Sequence, residues 1–371
     1  MIFIEILPRG IDFTLGLCYT DLRMNRKFER IHISRMKRII VCLLALVLLG
    51  GFCLQGCGQT QKTDHTALHI VTTMFPLTDW TCAIVKDATE QPIQIHTLLD
   101  RGVDLHNYQP TTKDMMLLSY CDVFIYVGGE SDAWVEDVLK TINNPDMVTI
   151  NLMDLLKGRL KPVLTEEDHD HDHEGAHAQY DEHIWLSLQN ARVLCQAIAD
   201  VLSEVDPNQA DTYRANVAEY ITKLTVLDGA YQAAVNEATC KTVVFADRFP
   251  FRYLMDDYGV SYHAAFAGCS TESEAGFDTI RSLAGKVDEL GLTCVLIAEG
   301  QDGIMAETVV AATRDKNQRI LSMNSMQSIT KQELDDGATY LSIMEENLIV
   351  LKQALGVEVR SEESGADTEL Q

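Results

Sequence analysis

The chain has 371 residues, 46% of them hydrophobic and 23% charged, which is a globular composition with room for two domains and excludes a disordered chain. Its formal net charge of −25 argues against nucleic acid as a partner and suits a protein that handles cations.

Residues 1–56 are predicted to be an N-terminal extension and a lipoprotein signal peptide. A basic start is followed by an apolar run at 39–49, which is short for a membrane span, and translation from Met24 or Met36 is expected. The run ends in Leu-Gln-Gly followed by Cys57, which resembles a bacterial lipobox. That resemblance implies lipidation of Cys57 and an extracytoplasmic protein anchored to the cell membrane.

A polar tether at 57–66 leads into a predicted N-terminal lobe, residues 67–205. Its apolar segments alternate between strand and helix patterns, which is typical of α/β folds with a mostly parallel sheet. The predicted strands are 68–73, 93–98, 123–127 and 147–152, and the predicted helices are 76–88, 114–120, 134–142 and 184–202.

A polar loop at 165–180 interrupts this lobe and concentrates histidine and acidic residues. Four imidazoles fall within nine residues, at His169, His171, His173 and His177. Neutral imidazole is a common zinc ligand, and carboxylates add charge for a divalent cation. The loop therefore indicates transition-metal handling. The alternative is a solvated acidic loop whose histidines have no function, but four histidines within nine residues make this alternative a poor fit.

A linking helix is predicted over 206–238. Asp206 is expected to be its N-cap and Pro207 its first residue. Apolar residues recur at helical spacing along it, at Tyr213, Val217, Tyr220, Ile221, Leu224, Leu227 and Tyr231.

The C-terminal lobe, predicted over 239–357, repeats the alternation of strands and helices. Its predicted strands are 242–245, 261–266, 294–298 and 320–323, and its helices are 251–258, 279–290, 306–314 and 339–355. The tail at 358–371 is charged and predicted to be disordered. Six cysteines follow Cys57, and none forms a zinc-knuckle spacing, so disulfides are permitted but not specified.

Ligands of open α/β sheets bind outside the carboxyl ends of the strands, so polar residues after strands are the candidates for a site. Two such segments are Gly102-Val103-Asp104-Leu105-His106-Asn107-Tyr108-Gln109-Pro110 and Glu182-His183-Ile184-Trp185-Leu186. They resemble the two histidine motifs of the zinc and manganese solute-binding lipoproteins of ABC transporters, and the resemblance runs from about 68 to 355.

This resemblance implies two lobes, each with a mostly parallel sheet flanked by helices, joined by one long rigid helix. It further implies one metal ion in the cleft between the lobes, delivery of that ion to a membrane permease, and no catalytic activity. His106 and His183 match the family's motifs and are the expected metal ligands.

The C-terminal lobe departs from the family's pattern. The third ligand position falls on Ala246 or Arg248, neither of which can bind a cation, so Asp247 between them is the candidate. An ion pair with Arg248 or a helix N-cap is an equal alternative for Asp247. The fourth position falls on Asn324, a poor zinc ligand whose carbonyl suits harder ions. Glu299 could substitute for it, or be a structural carboxylate.

The expected cargo is zinc, because the histidine-rich loop and a site with two histidines both favour it, whereas manganese prefers more oxygen ligands. A manganese receptor of the same family is the first alternative. A secreted zinc hydrolase would carry a compact motif such as His-Glu-x-x-His, which the sequence lacks. An adhesin is the third alternative, although the sequence shows no separate adhesive module for cell adhesion.

Overall fold

The computed structural model describes residues 67–99, 102–163, 179–266 and 276–358. The signal peptide, Cys57, the tether, the four loop histidines and the tail lie outside the described residues. Two four-stranded sheets form the core of the two lobes, and all the strand pairs in both sheets are parallel. The α/β prediction is therefore confirmed, with sheets that are wholly rather than mostly parallel.

The sheet of the N-terminal lobe has the order β2-β1-β3-β4. Its strands are β1 (Leu68–Thr72), β2 (Ile93–Thr97), β3 (Val123–Tyr126) and β4 (Val148–Asn151). The strand order reverses between β1 and β3, and a crevice at such a reversal is the usual ligand site of an open parallel sheet. The segments that follow β2 and β3 supply His106 and Ser131 to the site described below.

The helices of this lobe lie close to their predicted positions. They are α1 (Phe75–Val85), α2 (Thr112–Leu118), α3 (Trp134–Thr141), the unpredicted single turn α4 (Leu152–Leu155), and α5 (Leu188–Val205). The predicted helix at 184–202 is divided, because a short 3₁₀ turn at Ile184–Leu186 ends at Ser187. The Ser187 hydroxyl accepts a hydrogen bond from the Asn190 amide at 3.0 Å and so caps α5.

The long helix α6 (Ala210–Glu237) joins the lobes and has 28 residues. Six of the seven residues predicted for its apolar face are buried, and Ile221 is partly buried against the same core. Asp206 is the N-cap residue and Pro207 the first residue of a 3₁₀ turn, Pro207–Gln209, that leads into α6, but the Asp206 side chain makes no capping hydrogen bond. The Asp206 carboxylate instead accepts hydrogen bonds from Tyr213 at 2.9 Å and from Gln91, which precedes β2, at 3.1 Å.

The sheet of the C-terminal lobe has the order β6-β5-β7-β8 and so reverses in the same way. Its strands are β5 (Thr242–Phe245), β6 (Ser261–Ala264), β7 (Cys294–Ala298) and β8 (Arg319–Met323). Its helices are α7 (Arg252–Tyr258), α8 (Phe277–Leu290), α9 (Ile304–Ala312), the unpredicted turn α10 (Lys331–Asp335), and α11 (Tyr340–Ala354).

The last helix, α11, connects this lobe to the first one. The Tyr340 ring lies 5.1 Å from the Trp80 ring of α1, and its hydroxyl donates to the Trp185 carbonyl at 2.6 Å. One continuous buried cluster accordingly includes side chains from both sheets and from α6. Such packing fixes the segment that carries His183 against the C-terminal lobe.

Two further observations bear on the sequence predictions. None of the helices in the described ranges has the length and apolarity that crossing a bilayer requires. The cysteines within those ranges are free thiols, namely Cys82, Cys121, Cys195, Cys240 and Cys294.

Candidate metal centre

His106 is presented by a short 3₁₀ turn, Leu105–Asn107, that follows β2. Asp104 caps this turn by accepting a hydrogen bond from the His106 amide at 2.9 Å, and the buried Leu105 side chain anchors it in the core. The ring is then held from its Nδ1 side, which lies 2.8 Å from the Ser131 hydroxyl and 3.1 Å from Glu182 Oε1. Its orientation is therefore set by side chains from two other loops.

His183 stands at the start of the 3₁₀ turn that precedes α5, and it is almost fully buried. Asp181 Oδ1 accepts from the His183 amide at 2.9 Å and lies 2.8 Å from its Nδ1. The following residues, Ile184 and Trp185, are completely buried and fix the backbone. A single carboxylate thus orients both the backbone and the ring of His183.

The two imidazole rings face each other with centroids 5.5 Å apart. Each Nδ1 points at a carboxylate, which favours the tautomer with the proton on Nδ1 and makes Nε2 the acceptor nitrogen. Both Nε2 atoms point at one atom, the amide nitrogen of Gln327, at 2.8 Å for His106 and 2.7 Å for His183. Two imidazole nitrogens thus converge on one point, an arrangement that suits a zinc-type ion.

The carboxylates behind the rings remain ionised at neutral pH. Burial favours the protonated form of Asp181, but the neighbouring His183 outweighs it and holds the pKa of Asp181 below its usual value. Burial acts likewise on Glu182, and hydrogen bonds from His106 and Ser131 together with the charge of His183 lower its pKa. The two adjacent acids therefore stabilise the Nδ1 proton of both histidines.

The loop after β3 encloses the Glu182 carboxylate. Ser131 donates to it from its amide, at 2.9 Å, and from its hydroxyl. Gly129 has a positive φ of 85°, and a Cβ at this position would lie 2.6 Å from Glu182 Oε2. Only glycine fits that contact. The sequence analysis did not single out Ser131 or Gly129, although the Gly-Gly pair after a buried strand is a recognisable mark of close approach.

Asp247 follows β5 and is nearly buried. Its Oδ1 accepts from the Arg248 amide at 2.7 Å, while the buried Oδ2 has no hydrogen-bond partner in the described part of the chain. Burial raises the pKa of Asp247. Arg248 forms its ion pair across the cleft with Asp104, at 3.6 Å, and the N-cap of α7 is Phe251. Among the described residues, Asp247 makes no close ion pair with Arg248 and does not cap α7, although the Arg248 charge acts to lower the pKa of Asp247.

Glu299 follows β7 and holds the turn after β8. Its two oxygens accept from the Ser325 amide at 2.7 Å and from the Ser325 hydroxyl at 2.6 Å, and burial raises its pKa. Asn324 shapes the same turn, because its side-chain oxygen accepts from the Met326 amide at 2.8 Å. Both side chains position the backbone from which Gln327 reaches the two histidines.

Gln327, which contacts both histidines, is not among the residues predicted from the sequence. It follows β8 by four residues, at the carboxyl edge where ligands bind, but its amide does not belong to the usual zinc ligands. Throughout the described ranges, no three side chains of histidine, cysteine, aspartate or glutamate converge as a metal site. The structure brings together His106, His183 and Gln327, with Asp181 and Glu182 behind the rings.

Two parallel α/β lobes, a long connecting helix and a carboxylate-supported pair of histidines between the lobes define a two-lobed metal-binding protein. The chain belongs to the family of the zinc-uptake complex component A, ZnuA, whose sequence profile matches residues 70–354. The family prediction made from the two histidine motifs is confirmed.

Individual relatives agree with this assignment. The zinc-binding lipoprotein AdcA of Streptococcus pneumoniae is 31% identical over 321 residues, which cover 86% of this chain but 61% of AdcA. The high-affinity zinc uptake system protein ZnuA of Bacillus subtilis is 29% identical, over 85% of this chain and 96% of that protein. The Zn(II)-bound ZnuA-like domain of pneumococcal AdcA superposes with a TM-score of 0.63 at 27% identity, over 78% of this chain and 99% of the domain.

Proposed function

We propose that this protein is an extracytoplasmic receptor that binds zinc in the cleft and delivers it to the permease of an ABC importer, without catalysis. The observation that carries the proposal is the convergence of the His106 and His183 Nε2 atoms on one point, 2.8 and 2.7 Å from the Gln327 amide nitrogen. The names of the pneumococcal and B. subtilis relatives, a zinc-binding lipoprotein and a zinc-uptake protein, support zinc as the cargo.

The chemistry of the donors favours zinc over manganese. Zinc binds imidazole nitrogen at about 2.0–2.1 Å and accepts tetrahedral sets of nitrogen and oxygen ligands. Manganese favours carboxylate, carbonyl and water oxygens and stands below zinc in affinity for a given set of ligands. Manganese remains the alternative cargo.

The C-terminal lobe offers two carboxylates near the cleft. Asp247 is the stronger candidate for a ligand, because its Oδ2 is buried without a hydrogen-bond partner in the described residues. Both oxygens of Glu299 are engaged by Ser325, so Glu299 would have to release that turn before it could bind an ion. We therefore propose that His106 and His183 bind the metal ion. Asp247 is the expected carboxylate ligand, and Glu299 is the alternative carboxylate.

A lipid anchor would keep the protein close to the permease in the same membrane. Lipidation of Cys57 would anchor the mature chain to the outer face of the membrane, and the pneumococcal relative is itself named a lipoprotein. The tether at 57–66 would then separate the lobes from the bilayer.

A competition titration of the purified protein against a chromophoric chelator, with zinc and separately with manganese, tests this function. We expect one tight zinc site per chain and weaker additional zinc at the histidine-rich loop. Asp247→Ala is expected to weaken the tight site, since it removes an anionic ligand, and unchanged affinity would remove only this residue from the site. A protein that takes up no zinc at submicromolar concentration would contradict the proposal.

Deletion of residues 169–177 is expected to leave the tight zinc site intact while removing the weaker ions. The ends of the loop are already joined, because Pro162 and Tyr180 form an antiparallel bridge. The Val163 amide donates to Gln179 at 2.7 Å, and the Asp181 amide donates to Lys161 at 2.8 Å. Asp181, which orients His183, is thus held from outside the deleted segment.

The measurement is the number of zinc ions bound per chain and the affinity of each class. The tight affinity should change by no more than about twofold, as for independent sites. A control that replaces the four histidines by asparagine keeps the length of the loop and should give the same result. Loss of the tight site in both variants would place the loop within the binding site.

A further inference from the structure

Contacts from both lobes fix the backbone turn that carries Gln327. Met326 adopts a left-handed conformation with φ of 60°, which turns the chain sharply before Gln327. The turn is fixed by Glu299 on Ser325 and by Trp185, whose indole nitrogen donates to the Ser325 carbonyl at 2.8 Å. A backbone fixed in this way directs the Gln327 side chain at the two histidines.

The same turn closes on the loop that carries His106. The Gly102 amide donates to the Ile329 carbonyl at 3.0 Å, and the Ser328 hydroxyl donates to the Gly102 carbonyl at 3.1 Å. Residues 325–329 therefore contact both histidine-bearing segments of the N-terminal lobe. An ion that binds both Nε2 atoms must meet the end of the Gln327 side chain.

Negatively charged side chains near His106 and His183 lie on one side of each ring. The carboxylates of Asp181 and Glu182 lie on the Nδ1 sides of the rings, where they hold protons rather than contact an ion. On the Nε2 side, the side chain that contacts both rings in the described residues is the neutral amide of Gln327. Rotation of this amide by half a turn about its last side-chain bond would exchange nitrogen for oxygen and offer the ion a carbonyl ligand.

We propose that Gln327 is a specificity-determining residue of the cleft: it supplies a neutral amide where a carboxylate would fit, and so favours zinc over manganese. This inference rests on the proposed function. Two imidazoles and an amide carry no negative charge, so Asp247 would be the one anionic ligand of the proposed site, and such a set suits an ion with high affinity for nitrogen. A hard ion gains more from an anionic oxygen, because its affinity depends strongly on the number of charged ligands.

The decisive variant is Gln327→Glu, which replaces the side-chain amide by a carboxylate and so adds one negative charge at nearly constant volume. We expect its manganese affinity to rise by on the order of tenfold or more, while its zinc affinity changes by less, so that the preference for zinc falls. The control is Gln332→Glu, the same substitution on exposed α10, which should leave both affinities at their original values.

The readout is the ratio of the manganese to the zinc dissociation constant, measured by chelator competition on the full chain. A second readout is the ¹⁵N–¹H signal of the Gln327 side-chain amide in the original protein, which should shift when zinc is added. An unchanged ratio in Gln327→Glu, or an equal change in Gln332→Glu, would overturn the inference. Failure of the proposed function would look different, because the original protein would then bind no zinc tightly.

Discussion

Replacing His106 or His183 by alanine is expected to abolish high-affinity zinc binding. The two Nε2 atoms are the imidazole donors that converge in the cleft, and each ring is already oriented by a buried carboxylate. Zinc sites in small proteins contribute about 10–16 kcal/mol, or roughly 3 kcal/mol for each of four ligands. Loss of one ligand should therefore weaken binding by about a hundredfold or more.

The measurement is the zinc dissociation constant by competition with a chelator, accompanied by thermal unfolding without metal to show that each variant is folded. Histidines outside the cleft provide matched controls. His96→Ala on β2 and His263→Ala on β6 remove the same side chain from the two lobes, and both variants should bind zinc with the original affinity. Tight binding by the double variant of His106 and His183 would refute the site.

Both histidines could be predicted from the sequence because each belongs to a local motif in a segment where an open parallel sheet binds its ligands. Their convergence also depends on short-range features, such as the Asp104 cap before His106 and the Asp181 contact with His183. Asp104 and Asp181 each lie two residues before the histidine that they contact, so these local features can be recognised in the sequence. The alternation of strands and helices was predictable for the same reason.

Gln327 could not be predicted, because its position depends on contacts between distant segments. Glu299 and Trp185 hold the turn from 26 and 140 residues away. The family's pattern places its fourth ligand on Asn324 instead, and the Asn324 side chain accepts a hydrogen bond from the Met326 amide within the turn. The function of Asp206 as a hydrogen-bond acceptor for Tyr213 was hidden in the same way, since local rules favour the helix cap.

The two lobes are connected at the cleft by an ion pair and by buried hydrogen bonds between neutral groups. Arg248 reaches Asp104 across the cleft at 3.6 Å, next to the turn that presents His106. Such a partly exposed ion pair contributes little stability and can open and close at small cost. The Trp185 and Tyr340 contacts, in contrast, are buried and hold the His183 segment firmly.

Replacing Glu182 by alanine is expected to weaken zinc binding by about 10–100-fold, although Glu182 does not face the ion. Its carboxylate accepts from Ser131 and lies 3.1 Å from His106 Nδ1, so it connects the second histidine motif to the ring of the first. Without it, His106 loses the partner that fixes its tautomer and orientation. Glu182→Gln, which keeps the shape but not the charge, should show an intermediate loss.

Chelator competition measures the affinities, and ¹⁵N NMR of the metal-free protein reports which nitrogen of His106 carries the proton. The matched control is Glu130→Gln, an exposed glutamate one residue before Ser131, which should keep both the affinity and the tautomer. If Glu182→Ala binds zinc normally with an unchanged His106 tautomer, the carboxylate is only a packing element of the Gly129 loop. If affinity and tautomer change together, the two adjacent acids at 181 and 182 each prepare one histidine for the ion.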